Sequence, residues 1–135
     1  MIDQMIKVLV VDDEVGLADF IQRILQLEGY TAFMETDGIG AVNFVKAERP
    51  DIILIDVALG YSKIDGIEVL KRIKEMDWNA MCLMVTRVTD EETVKKAKEF
   101  GAAHYVLKPL DRKDIVAVVR EAAEVIKHRR ISNGK

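Results

Sequence analysis

The chain has 135 residues, half of them hydrophobic and 32% charged, with a net charge of −3. This length supports one domain with its own core and is too short for two comfortable ones, and the composition is globular rather than disordered or fibrous. So mild an acidity gives no electrostatic case for nucleic-acid binding, and the apolar run Ala80–Val85 is far too short to cross a membrane.

Asp3, Lys7, Asp12, Asp13 and Glu14 interrupt the N-terminal stretch, so it holds no signal-peptide core, and a cytoplasmic location is expected. Val8–Val11 is a continuous apolar run, as in a strand covered on both faces. Leu17, Phe20, Ile21, Ile24 and Leu25 come next at helical spacing and form an amphipathic stripe, ended by Gly29. Thr31–Met34 is the weakest strand and is placed at a sheet edge. Ile39, Val42 and Val45 mark a second helix, stopped before Pro50. Ile52–Ile55 is the third strand, and Ile67, Leu70 and Ile73 mark the helix after it. Met81–Val85 is the fourth strand. It contains the single cysteine, Cys82, which reads as a small buried hydrophobe in a reducing compartment. Val94, Ala97 and Phe100 mark a fourth helix, opened by Asp90 as N-cap and closed by Gly101. Tyr105–Leu107 is the fifth strand, and the fifth helix runs from about Asp111 to about Arg129. Five alternations of strand and helix imply an α/β fold, a single doubly wound five-stranded parallel sheet with right-handed crossovers. By analogy with the flavodoxin-like class, the expected strand order is 2-1-3-4-5. One domain spans residues 1–130, with a short tail over 131–135.

The polar residues cluster at the ends of the apolar runs. Asp12 and Asp13 come directly after the first strand, Asp56 after the third, Thr86 after the fourth and Lys108 after the fifth. A parallel sheet gathers these ends on one edge, where such folds bind ligands. Taken singly, each residue has an ordinary reading as a cap, a turn residue or a solvated cation; together they put three carboxylates, a hydroxyl and an ammonium in one crevice. Two carboxylates about 4 Å apart repel by roughly 4 kcal/mol at an effective dielectric near 20. Such a cluster makes sense around a hard, oxygen-loving cation, Mg²⁺ or Mn²⁺. His104 and His128 stand far apart and suggest no zinc site. A carboxylate nucleophile, a divalent cation, an ammonium and a hydroxyl are the parts phosphoryl transfer needs. Asp56 stands alone at the end of a central strand and is the candidate nucleophile; the adjacent Asp12 and Asp13 suit metal binding.

VLVVDDE (Val8–Glu14), DIILIDV (Asp51–Val57), DGIEVLKRIK (Asp65–Lys74), LMVT (Leu83–Thr86) and GAAHYVLKP (Gly101–Pro109) resemble the response-regulator receiver family of two-component signalling across nearly the whole chain. The resemblance implies that Asp12, Asp13, Asp56 and the backbone carbonyl of Ala58 hold Mg²⁺. It implies that Asp56 takes a phosphoryl group from a sensor histidine kinase or histidine phosphotransfer protein, with Thr86 and Lys108 contacting that group. Tyr105 matches the family's switch aromatic, which moves with Thr86, and the Lys108–Pro109 peptide is expected to be cis. Three departures stand out: the segment from Val57 to Gly66 is about two residues longer than usual and lacks a Pro after the acceptor, Arg87 replaces a small residue, and no Pro precedes the fourth strand.

Two other readings are weaker. A haloacid-dehalogenase-like phosphatase needs a second Asp two residues after its nucleophile, where this chain has Ala58. A pseudo-receiver that never accepts phosphate typically lacks an acidic residue or the Lys, and here all are present. Arg87 has two readings. Either it points outward to Asp90 or Glu91, or it reaches over the site mouth and, with Val88, shields a phosphoryl group from water. The fifth helix is apolar over roughly 180° at about 100° per residue, more than a core stripe needs. Val116, Ala123 and Val125 are therefore expected to be partly exposed, on a face of the fourth helix, fifth strand and fifth helix that suits a homodimer or output partner; a deeply seated helix is the alternative. Lys127, Arg129 and Arg130 read as a solvated helix end.

Overall fold

The computed structural model describes residues 5–132. Its elements alternate as β1 (Lys7–Val11), α1 (Val15–Leu27), β2 (Thr31–Glu35), α2 (Gly38–Glu48), β3 (Ile52–Ile55), α3 (Gly66–Lys74), β4 (Met81–Thr86), α4 (Glu91–Glu99), β5 (His104–Leu107) and α5 (Arg112–Ser132). All strands are parallel, in the order β2-β1-β3-β4-β5, so the flavodoxin-like expectation holds.

Successive strand residues point to opposite faces, and each face carries its own core. Val8, Val10, Ile52, Leu54, Leu83 and Val85 pack under α1 and α5, against Ala18, Ile21, Leu25, Ile115, Val119 and Ala122. Leu9, Val11, Ile53, Ile55, Cys82 and Met84 pack under α2, α3 and α4, against Val42, Val45, Leu70, Ile73 and Ala97. Every residue of β3 and β4 is buried, which explains their unbroken apolar runs. Cys82 is free and buried, and burial pushes its thiol up to about 11, so it is inert.

The helix boundaries reflect local chemistry. The carboxylates of Asp37, Asp65 and Asp90 accept from the backbone N–H groups of Gly40, Glu68 and Thr93 and so cap α2, α3 and α4. Gly29 and Gly101, at φ +98° and +93°, end the turns after α1 and α4. The Lys108–Pro109 peptide is cis, as expected.

Several expectations need correction. β5 lies at the second sheet edge, as the expected order implies, but its apolar run is less buried than those of the inner strands, with Leu107 exposed and Tyr105 and Val106 half-buried. Phe20 and Ile39, read as parts of apolar stripes, are exposed, and Ala18 and Ala41 are buried instead. On α5, Val125 is exposed and Val116 half-buried, but Ala123 is buried, because α5 lies against both the sheet and α1. α5 also continues past Arg129, through the residues assigned to a tail, to Ser132; Arg130 ties it to the sheet by an ion pair with Asp51, 3.0 Å. Residues 133–135 lie outside the described range.

Candidate functional site

Parallel register aligns the strand ends. Val11 lies opposite Ile55, and Ile55 opposite Met84, so Asp12 and Asp56 emerge side by side, with Thr86 at the end of the adjacent strand. Thr86 lies opposite Leu107, which brings Lys108 out just beyond it. Among the described residues, Asp12, Asp56, Thr86 and Lys108 are the buried polar or charged side chains. All four are residues expected at the site.

Lys108 binds them together. Its ammonium donates to Asp56 Oδ2 at 2.6 Å and to Asp12 Oδ2 at 2.7 Å, with the lysine side chain only 2% exposed. The remaining carboxylate oxygens are also held: Asp56 Oδ1 accepts the Ala58 N–H at 3.1 Å, and Asp12 Oδ1 the Glu14 N–H at 2.9 Å. Burial pulls the Lys108 ammonium down, but its hydrogen bonds to Asp12 and Asp56 outweigh that and leave it above its ordinary value. Burial pushes the Asp12 carboxyl up, against the pull of Lys108. For Asp12, the shared ammonium does not fully offset the cost of burial.

Asp13 completes the acidic group from an exposed position. One oxygen from each of Asp12, Asp13 and Asp56 falls within 4.8 Å of the others. Three hard oxygen donors against one ammonium fit a hard divalent cation that keeps part of its water shell. Glycines shape the rim. A Cβ on Gly66 would overlap the Asp56 carbonyl, and Gly60, at φ +51°, sits against the Asp13 carboxylate. The long segment between β3 and α3 is pinned by Ser62, whose Oγ accepts the Gly38 N–H at 2.8 Å. Sequence reasoning missed this contact, since a lone Ser in a loop gives no signal of its partner 24 residues away.

A hydrogen-bonded chain leads outward from the site. Thr86 Oγ1 accepts the Val88 N–H at 3.3 Å, and Tyr105 Oη donates to the Val88 carbonyl at 2.6 Å. The hydroxyl at the end of β4 and the half-buried aromatic of β5 thus share one loop residue. Arg87 pairs neither with Asp90 nor with Glu91. Asp90 is occupied at the N-terminus of α4, and the Arg87 guanidinium instead reaches Glu14, Nη1 to Oε1 at 2.8 Å.

The chain matches the family model "Response regulator receiver domain" over residues 8–120. It is 34% identical to sporulation initiation phosphotransferase F of Bacillus subtilis over 115 residues, covering 85% of this chain and 91% of that protein. It is 40% identical to chemotaxis protein CheY of Treponema pallidum over 111 residues, 82% of this chain and 77% of that one. A CheY-like receiver domain structure from Methanospirillum hungatei superposes with a TM-score of 0.86 at 24% identity, over 93% of this chain and 99% of that one, a likeness of fold.

Proposed function

The chain belongs to the response regulator receiver domain family, a family of signalling switches in two-component systems, and from that premise we propose that Asp56 is its phosphoacceptor. The observation that carries this reading is the Lys108 ammonium bonded at once to Asp56 and Asp12 inside a three-carboxylate cluster.

Asp56 supplies the nucleophilic oxygen. A new O–P bond forms as the N–P bond of a donor phosphohistidine breaks, and the freed imidazole leaves on the partner kinase or phosphotransfer protein. Lys108 and the Ala58 N–H hold the two Asp56 oxygens and so fix the orientation of the carboxylate before reaction. Asp12, Asp13 and Asp56, with the Ala58 carbonyl, would hold Mg²⁺ or Mn²⁺. When bound, the ion supplies the positive charge that neutralises the transferring phosphoryl oxygens. Lys108 moves with the new charge to one phosphoryl oxygen and Thr86 donates to another. For that bond Thr86 Oγ1 turns away from the Val88 N–H, and because Tyr105 is bonded to the same residue, the loop transmits the change to β5. Exposed Leu107 and Val125 and the half-buried Tyr105 then form the surface that an output partner or second copy reads, on the α4–β5–α5 side. Among the described residues no helix is long and apolar enough to cross a membrane, and a cytoplasmic location belongs to the same reading.

Incubation with a small acyl phosphate, with and without Mg²⁺, tests this by intact mass. One phosphoryl group is expected in the presence of Mg²⁺ and none after chelation. No uptake in either condition overturns the phosphoacceptor reading, and equal uptake in both overturns the metal.

A further inference from the structure

Arg87, the cation that departs from the family pattern, is held beside the site by a contact with Glu14. Glu14, the residue after the paired aspartates, occupies the N-cap of α1 but makes no side-chain cap bond. Its carboxylate turns toward the crevice instead, where Oε1 lies 2.8 Å from Arg87 Nη1 and 3.7 Å from Lys108 Nζ. The exposures rank these groups from outside inward: the Arg87 and Glu14 side chains are 63% and 50% exposed, while those of Lys108 and Asp56 are 2% and 7%. The exposed Arg87–Glu14 pair thus adjoins the buried Lys108–Asp56 contact through Glu14, which approaches both cations. It ties the end of β4 to the start of α1, residues 73 apart in sequence. A Cβ added to Gly60 would meet the Asp13 carboxylate, so the segment after β3 passes close to that second aspartate.

We propose that the Arg87–Glu14 pair is a strap across the mouth of the phosphoacceptor site, and that both phosphoryl uptake and hydrolysis of the phosphoaspartate wait on its opening; this rests on Asp56 being the acceptor. Both reactions are displacements at phosphorus. In uptake from acetyl phosphate, the Asp56 oxygen forms the new bond and acetate leaves. In hydrolysis, a water oxygen attacks, the Asp56 carboxylate is regenerated, and inorganic phosphate departs. Donor and water must enter through the same mouth. An exposed pair is weak and opens often, so the strap slows each step by a modest factor, about two- to fivefold.

A strap differs from a simple charge effect in sign. If Arg87 and Glu14 acted only through charge, neutralising the cation would slow the anionic donor and neutralising the carboxylate would speed it. For a strap, either change breaks the same link. Arg87→Gln, Glu14→Gln and the double variant are to be compared with wild type for acetyl phosphate uptake in Mg²⁺ and for decay of the phosphorylated protein after donor removal. Both single variants are expected to be faster in both reactions, by about two- to fivefold, with no further gain in the double variant. Raising ionic strength should bring wild type toward the variants, because salt screens an exposed pair. Unchanged rates, or opposite effects of the two single variants, overturn the strap while leaving Asp56 as acceptor. Failure of wild type to take up phosphoryl overturns the acceptor reading and the strap with it.

Discussion

Replacing Lys108 with Ala removes a cation bonded to two buried carboxylates. Asp12 and Asp56 are 3% and 5% exposed and would then face each other with no ammonium between them. Removing one partner of a buried ion pair costs about 3–5 kcal/mol. Water can enter the space left by the lysine from the strand ends, so the low end applies, about 3 kcal/mol. In a domain of this size each kcal/mol moves the midpoint by about 3–5 °C, which gives a fall of about 10–15 °C in Tm. Mg²⁺ should restore much of the loss, since Lys108→Ala leaves both carboxylates free for the ion; at about one hundred times Kd, binding adds about 2.7 kcal/mol. Urea unfolding of wild type and variant, with chelator and with millimolar Mg²⁺, measures both effects. A loss below about 1 kcal/mol in chelator, the size of an average substitution, would show that Lys108 does not compensate the cluster.

Wild type should also gain stability from Mg²⁺, though less than Lys108→Ala, because the ion competes with an ammonium already in place; an unchanged melt together with no heat of binding contradicts the metal reading. Gly66→Ala forces a methyl onto the Asp56 carbonyl and the Val57 Cα, backbone that cannot step aside. The expected cost is about 2–3 kcal/mol in unfolding free energy, and a neutral result would show that the segment after β3 yields. Hydrogen bonds from Thr93 hold the Asp90 carboxyl below its ordinary 3.8. Its capping contribution is therefore fully present above that value and is lost as pH falls through the lower folded value. The stability difference between wild type and Asp90→Ala should be constant near neutrality and shrink in acid, and a difference that grows on acidification contradicts the assignment.

Most of the site was legible because it is written at strand ends. An apolar run that stops at Asp12, Asp56, Thr86 or Lys108 marks the carboxyl edge of a parallel strand, and parallel pairing brings those edges together whatever the loops do. Glu14 escaped notice as a partner because its contact crosses 73 residues. Local reasoning offered Asp90 and Glu91 to Arg87, yet the first of these is committed to the α4 cap. Ala123 shows a second limit. The angular width of an apolar arc does not reveal how much of it a groove covers, and α5 sits between α1 and the sheet, deep enough to bury Ala123 but not Val125. The runs of β4 and β5 are both continuously apolar, and it is the strand order, which leaves β5 with one neighbour strand and β4 with two, that separates their burial.

The central claim is that the phosphoryl group resides on Asp56, and the most direct measurement is the intact mass of wild type and Asp56→Asn after incubation with acetyl phosphate and Mg²⁺. The Asp56→Asn substitution keeps the size of the side chain but removes the nucleophilic carboxylate, so a single phosphoryl group is expected on wild type and none on the variant. Labelling of Asp56→Asn to the wild-type level would place the acceptor elsewhere and contradict the claim.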